Sequence, residues 1–488
     1  GVAIDSKGKI RGTMRKEFLR LEQVYLYRKG VKILEDFKLN IFQGEFLLLF
    51  GMYGGGMKEL ADYLSGREAF ASGRVYVNEV RLNPKDTLNP EKLGIYVISD
   101  DTELFPYLSV AENIFLTWKK NIFSFTLPIE KVNLQAEHIL KKLGIDIPVK
   151  KIVSELSNME LQIIKLAKGY CRNAKLIVIN DIANIYTPSE LHRLFEVLDI
   201  IRNRGTAILW ITGRYMNVVN HVDRITIINH GKNIKTCFAP ITNFDLLHRI
   251  STGSNVTKQA EWISEHKDQE LFRIEADAQQ GSIPLIVHKG ECVGVVFEDA
   301  KTLKGFSEMI LGKKMICGLS IWLGQKKYSP ASYHRAVHCG VYEIDMLNIQ
   351  NNLFNNLSLE ENLTLTSMKS TSVGRFFINK AYSRFIFMGF KEKYGFLQRR
   401  NITRCNWKEQ ENILFSRLKV NSSRLIIATE FLANIDYSRW EGVMDNMQNI
   451  LDQDKSFLLL SVNDGDLKYV CNRVYRFHAG KFEILPKS

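Results

Sequence analysis

The sequence predicts an α/β protein built as two tandem units, each with a mostly parallel sheet. Three observations predict it. The apolar run Glu45–Phe50 ends in a Gly-rich turn and passes into an amphipathic segment with Leu60 and Leu64 on one face. The apolar runs Lys175–Asn180 and Ala207–Thr212 flank a segment with clear helix start and stop signals. Four short segments recur along the chain at nearly one spacing.

Glu45–Phe50 reads as a buried strand, because a short apolar run bounded by glycine suits a strand covered on both faces. The helix that follows the Gly-rich turn is stopped by Gly66. Ser157, with Glu160 three residues later, predicts a capping box for a helix over 157–173. Between the strands Lys175–Asn180 and Ala207–Thr212, Thr187 reads as an N-cap, Pro188 as the first helical residue and Glu190 as the far half of a capping box. Leu191, Leu194, Leu198 and Ile201 form the apolar stripe of this helix, and Gly205 closes it. A helix between two buried strands at this spacing makes a right-handed crossover, so the strands run parallel.

The repeat gives the domain plan. Gly44-Glu45 and Gly290-Glu291 lie 246 residues apart. Ser109–Asn113 and Ser358–Asn362, Leu176–Asp181 and Leu425–Glu430, and Val222–Lys232 and Cys471–Lys481 each lie 249 apart. Each match alone is weak, but a shared spacing means a duplication. It puts the first unit at 14–245, a linker at 246–267 and the second unit at 268–488. Residues 1–13 are set aside as an N-terminal extension, with Met14 as a candidate start.

The chain has 66 Lys and Arg against 53 Asp and Glu among 488 residues, a net charge of +13, which suits an acidic partner. The segment Lys369–Arg404 holds nine basic residues against one acidic residue, Glu392, with eight interleaved aromatics. Such a stretch can dock on a protein or membrane surface, be a solvated helix face, or stack on single-stranded nucleic acid. Docking is favoured here and nucleic acid least. No apolar run reaches the ~18 residues of a membrane span, and no apolar segment near the N-terminus reads as a secretory signal. The seven cysteines include no C-x-x-C pair, so free thiols are expected and metal ligation is not.

The Gly-rich turn reads Gly51-Met52-Tyr53-Gly54-Gly55-Gly56-Met57-Lys58. It follows a strand and opens a helix, as the phosphate-loop pattern G-x-x-x-x-G-K-[ST] does, where backbone N–H groups cradle phosphate. The side-chain chemistry departs from that pattern. Met57 stands where the phosphate-binding Lys belongs, and Lys58 where the Mg²⁺-binding hydroxyl belongs. Lys58 is one residue late, a rotation of about 100° on a helix.

From about Leu19 to Ile484 the sequence resembles the tandem ATP-binding-cassette proteins of ribose/galactose-type sugar importers. The resemblance is carried by the phosphate-loop turn, Leu108–Leu116, Leu156-Ser157 with its helix, Leu176–Asp181 and Val222–Lys232. It implies two P-loop NTPase-like cassettes, each with a parallel sheet, an antiparallel β subdomain and a helical subdomain. It also implies two ATP sites, each joining the phosphate loop of one cassette to the signature motif of the other. By position, the first cassette has Asp100 at the Mg²⁺- and water-sensing Gln, Asn180 at the Walker B Asp, Asp181 at the catalytic Glu and Gly213 at the switch His. Its signature reads Leu156-Ser157-Asn158-Met159-Glu160. The second has Phe297–Lys304 as its phosphate loop, without glycine and with Glu298 and Asp299 toward the phosphate positions. Its signature is Cys405–Glu409, with Thr429 at Walker B, Glu430 at the catalytic Glu and Val462 at the switch His.

A charge-assisted hydrogen bond is worth roughly 1.5–3 kcal/mol, and a general base about 10²–10⁴ in rate. The chain is therefore expected to be a catalytically degenerate member that does not hydrolyse ATP, with Asp181 and Glu430 as catalytic remnants. Gly51, Gly54, Gly55, Gly56, Lys58 and Ser157 remain as candidate phosphate contacts for at most weakly held ATP or ADP, without Mg²⁺. The expected partners are importer transmembrane subunits at the cytoplasmic face of the membrane. The alternative is a soluble pseudo-ATPase that scaffolds a regulatory protein. Plainer roles compete for three of these residues: Ser157 as the N-cap alone, Glu430 as a solvated or salt-bridged strand end, and Lys58 as an exposed surface cation.

Overall fold

The computed structural model describes residues 16–486 other than 29, 52–54, 100–103, 116–127, 181–185, 214–217, 241–266, 277–282, 315–318, 346–351, 366–371, 374–376, 379, 396–401, 403–404, 406, 433–434, 436 and 464–466. The chain divides into two compact units, drawn in the main from its two halves.

The first unit runs through β1 (Glu17–Arg28), β2 (Val31–Phe42), β3 (Phe46–Gly51), α1 (Met57–Leu64), β4 (Ser72–Val77), β5 (Val80–Leu82), α2 (Pro90–Leu93), β6 (Ile95–Ile98), α3 (Val110–Phe115), α4 (Ile129–Lys142), α5 (Asn158–Cys171), β7 (Leu176–Asn180), α6 (Pro188–Arg202), β8 (Ala207–Thr212), β9 (Arg224–Asn229) and β10 (Lys232–Phe238). A six-stranded sheet has the order β10-β9-β3-β8-β7-β6. Its strands are parallel except for the edge strand β10. The centre is apolar because helices cover both faces, whereas β10 carries Lys232 and Lys235 and is mostly exposed, as suits an edge. An antiparallel sheet of order β2-β1-β4-β5 stands beside it. One core joins the two sheets, with Phe18, Leu34 and Phe37 packed among Leu47, Leu60 and Leu64.

The second unit runs through β11 (Lys267–Ala276), β12 (Leu285–Lys289), β13 (Cys292–Phe297), α7 (Ala300–Ile310), β14 (Leu319–Leu323), β15 (Lys326–Lys327), α8 (Tyr333–His338), β16 (Val341–Asp345), α9 (Leu359–Thr364), β17 (Ser372–Val373), β18 (Phe377–Ile378), α10 (Lys380–Tyr394), α11 (Trp407–Val420), β19 (Leu425–Thr429), α12 (Tyr437–Leu451), β20 (Ser456–Ser461), α13 (Leu467–Val470), β21 (Arg473–His478) and β22 (Lys481–Leu485). Its main sheet, β16-β19-β20-β13-β21-β22, repeats the order of the first unit, and β12-β11-β14-β15 repeats the antiparallel sheet. At the linker boundary, Lys267 opens β11 by pairing with Lys289, so the strand takes the last residue assigned to the linker.

The duplication extends to buried side chains. Asn113 Oδ1 accepts from Phe105 N at 2.7 Å, and its amide donates to the carbonyls of Phe105, Leu108 and Ser109. Asn362, 249 residues on, makes the same set with Phe354, Leu357 and Ser358. Glu45 pairs with Arg224 at 2.8 Å, and Glu291 with Arg473 at 2.7 Å. Matching helices of the two units each carry a buried cation, Lys168 on α5 and Arg417 on α11. Burial pushes the Lys168 ammonium down to about 8, helped by nearby Arg172, and the Arg417 guanidinium down to about 10.

The capping box at Ser157 is present in full: Ser157 N donates to Glu160 Oε2 at 2.8 Å and Glu160 N to Ser157 Oγ at 3.2 Å. The helix α6 starts at Pro188, and Leu191, Leu194, Leu198 and Ile201 are buried as their spacing predicts. In the basic segment, α10 turns Phe387 and Phe390 inward and leaves Tyr382, Phe385 and Met388 exposed. Among the described residues no helix is long and apolar enough to cross a membrane.

Candidate functional site

The first phosphate turn links β3 to α1. Gly51 is the last residue of β3, and Met52, Tyr53 and Gly54 lie outside the described residues. A Cβ on Gly51 would fall 2.4 Å from Ile228 Cγ2, and one on Gly56 would fall 2.3 Å from Leu34 Cδ2. Gly56 also has φ +97°, a conformation that other residues rarely adopt. Packing therefore accounts for both glycines before any ligand is invoked. The Gly55 carbonyl accepts from Gly231 N at 3.1 Å, which fastens the turn to the loop between β9 and β10.

Met57 packs against the core shared by the two sheets. Where the resemblance puts a phosphate-binding ammonium, the turn thus offers an apolar side chain directed into the protein. Lys58 is exposed on the first turn of α1. Gly56 is the N-cap of α1 and, being glycine, gives that helix end no side-chain hydrogen bond.

The second turn links β13 to α7 and is built differently. Asp299 is the N-cap: its carboxylate accepts from Thr302 N and Thr302 Oγ1, both at 2.8 Å. The Thr302 N–H outweighs partial burial and holds the Asp299 carboxyl below the usual carboxylate range. A negative charge already sits at the positive end of α7. Sequence directs Glu298 and Asp299 together toward a phosphate, but the structure separates them. The Glu298 carboxylate lies 2.5 Å from His478 Nδ1 at the end of β21, with both side chains exposed.

Asn180 ends β7 and Thr429 ends β19, both half-buried. Asp100 and Asp181 lie outside the described residues. Glu430 is buried rather than solvated at its strand end. It is 6% exposed, its Oε2 accepts from Ser461 Oγ at 2.9 Å, and its Oε1 accepts from Val462 N at 2.8 Å. The cause is local. β19 and β20 are parallel with Thr429 opposite Leu460, and Glu430 turns at φ +47° while its own N–H donates to the Leu460 carbonyl. That turn lays the carboxylate along the end of β20. Val462, which the resemblance aligns with the switch His, is a buried valine whose backbone N–H is one of the donors. Gly213, its counterpart, is half-buried after β8.

At the signature positions Leu156 is buried, and the Ser157 hydroxyl accepts from Glu160 N. Lys151 Nζ reaches Glu160 at 3.1 Å. Although burial opposes it, the Ser157 N–H and the Lys151 ammonium hold the Glu160 carboxyl below its usual range. In the second unit Cys405 is buried and its carbonyl accepts from Gln410 Nε2 at 3.2 Å. Asn406 lies outside the described residues.

Of the candidate contacts, Gly51, Gly55, Gly56 and Lys58 share one turn, and Ser157 caps α5 of the same unit. Among the described residues no three His, Cys, Asp or Glu side chains gather as a metal set. The buried cations Lys168 and Arg417 were not singled out from sequence. Their shared spacing of 249, on helices that follow aligned segments, was the available signal.

Residues 34–184 match the family model described as ABC transporter. The chain is 26% identical over 467 residues to the ribose import ATP-binding protein RbsA of Caldanaerobacter subterraneus subsp. tengcongensis, covering 93% of this chain and 92% of the relative. It is 23% identical over 466 residues to the ribose import ATP-binding protein RbsA of Geobacillus kaustophilus, covering 93% and 94%. A solved nucleotide-free ATP-binding cassette from an ABC transporter aligns with 46% of this chain and 91% of its own, at 22% identity and a TM-score of 0.41.

Proposed function

We propose, on the premise that this chain is a tandem ATP-binding-cassette protein, that it serves a sugar importer as a cassette subunit that docks on the membrane subunits without hydrolysing ATP. The sugar-import reading is supported by relatives that align over nearly the full length of both chains. The non-hydrolysing reading rests on one observation above all. The N-terminus of α7, where a phosphate would sit, is taken by the carboxylate of Asp299.

Other residues support the same reading. Met57 packs against the core, so the residue at the phosphate-lysine position brings no ammonium to a triphosphate. Without that charge-assisted bond, roughly 1.5–3 kcal/mol, ATP should bind about ten-fold more weakly or worse. The Glu430 carboxylate is anchored to the end of β20 through both oxygens, which leaves only part of its acceptor capacity for water. The first turn, with Gly51, Gly55 and Gly56 and an uncapped α1, would hold ATP or ADP only weakly and without Mg²⁺. Docking would use the exposed Tyr382, Phe385 and Met388 on the basic helix α10, at the cytoplasmic face of the membrane.

The test is ATP turnover by the purified full chain with Mg²⁺, compared with Glu430→Gln. The expected result is no turnover above that of the variant. Turnover that disappears in Glu430→Gln would show a working base and overturn the reading.

A further inference from the structure

We infer that α8 carries a two-histidine chelate for a divalent transition-metal ion, a site that uses no residue of either phosphate turn. His334 and His338 are four residues apart on one helix and so share a face. Their Nε2 atoms converge to 3.1 Å, with the rings nearly perpendicular at 84° and centroids 4.5 Å apart. Two nitrogens each about 2.0–2.1 Å from one ion, at tetrahedral or square angles, stand roughly 2.9–3.4 Å apart. The observed separation falls inside that window.

The helix beneath the pair is held in place. Ser332 caps it by accepting from Arg335 N, Ala336 is fully buried, and the Lys313 ammonium lies over the Tyr333 ring at 5.0 Å. Both histidines are exposed, so an ion can reach them and complete its coordination with water. At 3.1 Å the two nitrogens can also share one proton, one donating and the other accepting. On binding, the ion takes the lone pair of each Nε2, and the neutral ring that held its proton there changes tautomer to carry it on Nδ1. Imidazole nitrogen selects Cu²⁺, Ni²⁺ and Zn²⁺ over Mg²⁺ and Ca²⁺, with Cu²⁺ the tightest. The first unit supplies an internal contrast: 246 residues earlier the equivalent positions are Leu88 and Lys92, which cannot chelate.

The test is a Cu²⁺ titration of the metal-free full chain, followed by calorimetry and by the visible absorption of nitrogen-bound Cu²⁺. His334→Gln, His338→Gln and the double variant are compared with the parent. The parent should take up one ion in a tightest step that each single variant weakens by about 100-fold, the advantage of linking two donors. The double variant should lose no more than either single one, and Mg²⁺ or Ca²⁺ should not compete. Both side chains are exposed, so metal-free thermal unfolding should not change and lost binding cannot be put down to misfolding. A tightest step that survives in the double variant overturns the site. So does one that survives unweakened in both single variants.

Discussion

The helices α1 and α7 occupy the same place in the two halves of the molecule, each following the central strand of a parallel sheet. Both face the same problem, a positive helix end with unpaired backbone N–H groups. α1 begins at Gly56, a glycine with no side-chain cap, packed against Leu34 and Ile33. α7 begins at Asp299, whose carboxylate accepts from Thr302. The first turn relies on glycine backbone, with Met57 packed against the core and Lys58 exposed. The second has become self-sufficient. The sheets, the buried asparagines and the Glu–Arg pairs are alike in the two units, so one architecture accommodates two differently built turns after its central strand.

The sharpest way to break this comparison is through the elements the halves share. Arg224→Ala strands Glu45 in the core of the first unit, where breaking a buried pair costs about 3–5 kcal/mol. Arg473→Ala should cost less, because Arg473 is 28% exposed and water can reach its end of the pair, although Glu291 is itself fully buried. Burial pushes the Glu45 carboxyl above its usual range, against the pull of Arg224. A raised carboxyl favours the fold in acid, and that contribution is lost as pH rises from the ordinary value through the raised one. The Arg224→Ala penalty should therefore be larger at neutral pH than in acid. Urea denaturation resolving the transition of each unit measures both effects. An equal loss in the two units would mean that the pairs are not distinguished by burial.

What could be read beforehand divides along the same line. The strands, the helix from Pro188, the capping box at Ser157 and the duplication were legible because periodicity and capping act over a few residues. The Asn113 and Asn362 networks were hinted at only by aligned segments. Their partners, Phe105 and Phe354, lie eight residues away in loops without any pattern. Met57 stands in sequence where the resemblance puts a lysine, but its packing against the core depends on contacts that no local pattern announces. The fate of Glu430 was illegible. It depends on strand register, Thr429 opposite Leu460, and on a positive φ that no local sequence signal announces. Asp299 lay between these cases. An Asp before a helix is an ordinary N-cap, yet a resemblance to a phosphate loop drew attention to repulsion rather than capping.

That difference supplies the middle prediction. Asp299→Ala removes the cap of α7 and should cost about 1 kcal/mol of stability in the second unit. The Asp299 carboxyl is held below the ordinary range, chiefly by Thr302 N–H. A depressed carboxyl contributes stability that is present above its unfolded-state value and is lost as pH falls through the folded-state one. The gap between Asp299→Ala and the parent should therefore narrow in acid and be full at neutral pH. A gap that does not change with pH would mean that the charge on Asp299 contributes nothing to holding α7.

The smallest effect concerns the cores. In the second unit Cys292 and Cys471 are both buried with their Sγ atoms 3.8 Å apart, where the first unit has Phe46 and Val222 at the equivalent positions. Cys292 N donates to Asn472 Oδ1 as Phe46 N donates to Asp223 Oδ2, so the backbone around this strand start is held alike in both units. Burial, reinforced by the neighbouring thiol, pushes Cys292 well above the usual thiol range, which starves it of reactive thiolate. Cys339 is exposed. Among the described cysteines, an alkylating reagent under native conditions should modify Cys339 first, as followed by mass spectrometry. Cys292 and Cys471 should react only as the second unit unfolds, and together, since one opening uncovers both. If Cys292 reacts as fast as Cys339, the second core is looser than the first, and the two halves differ in packing as well as in their phosphate turns.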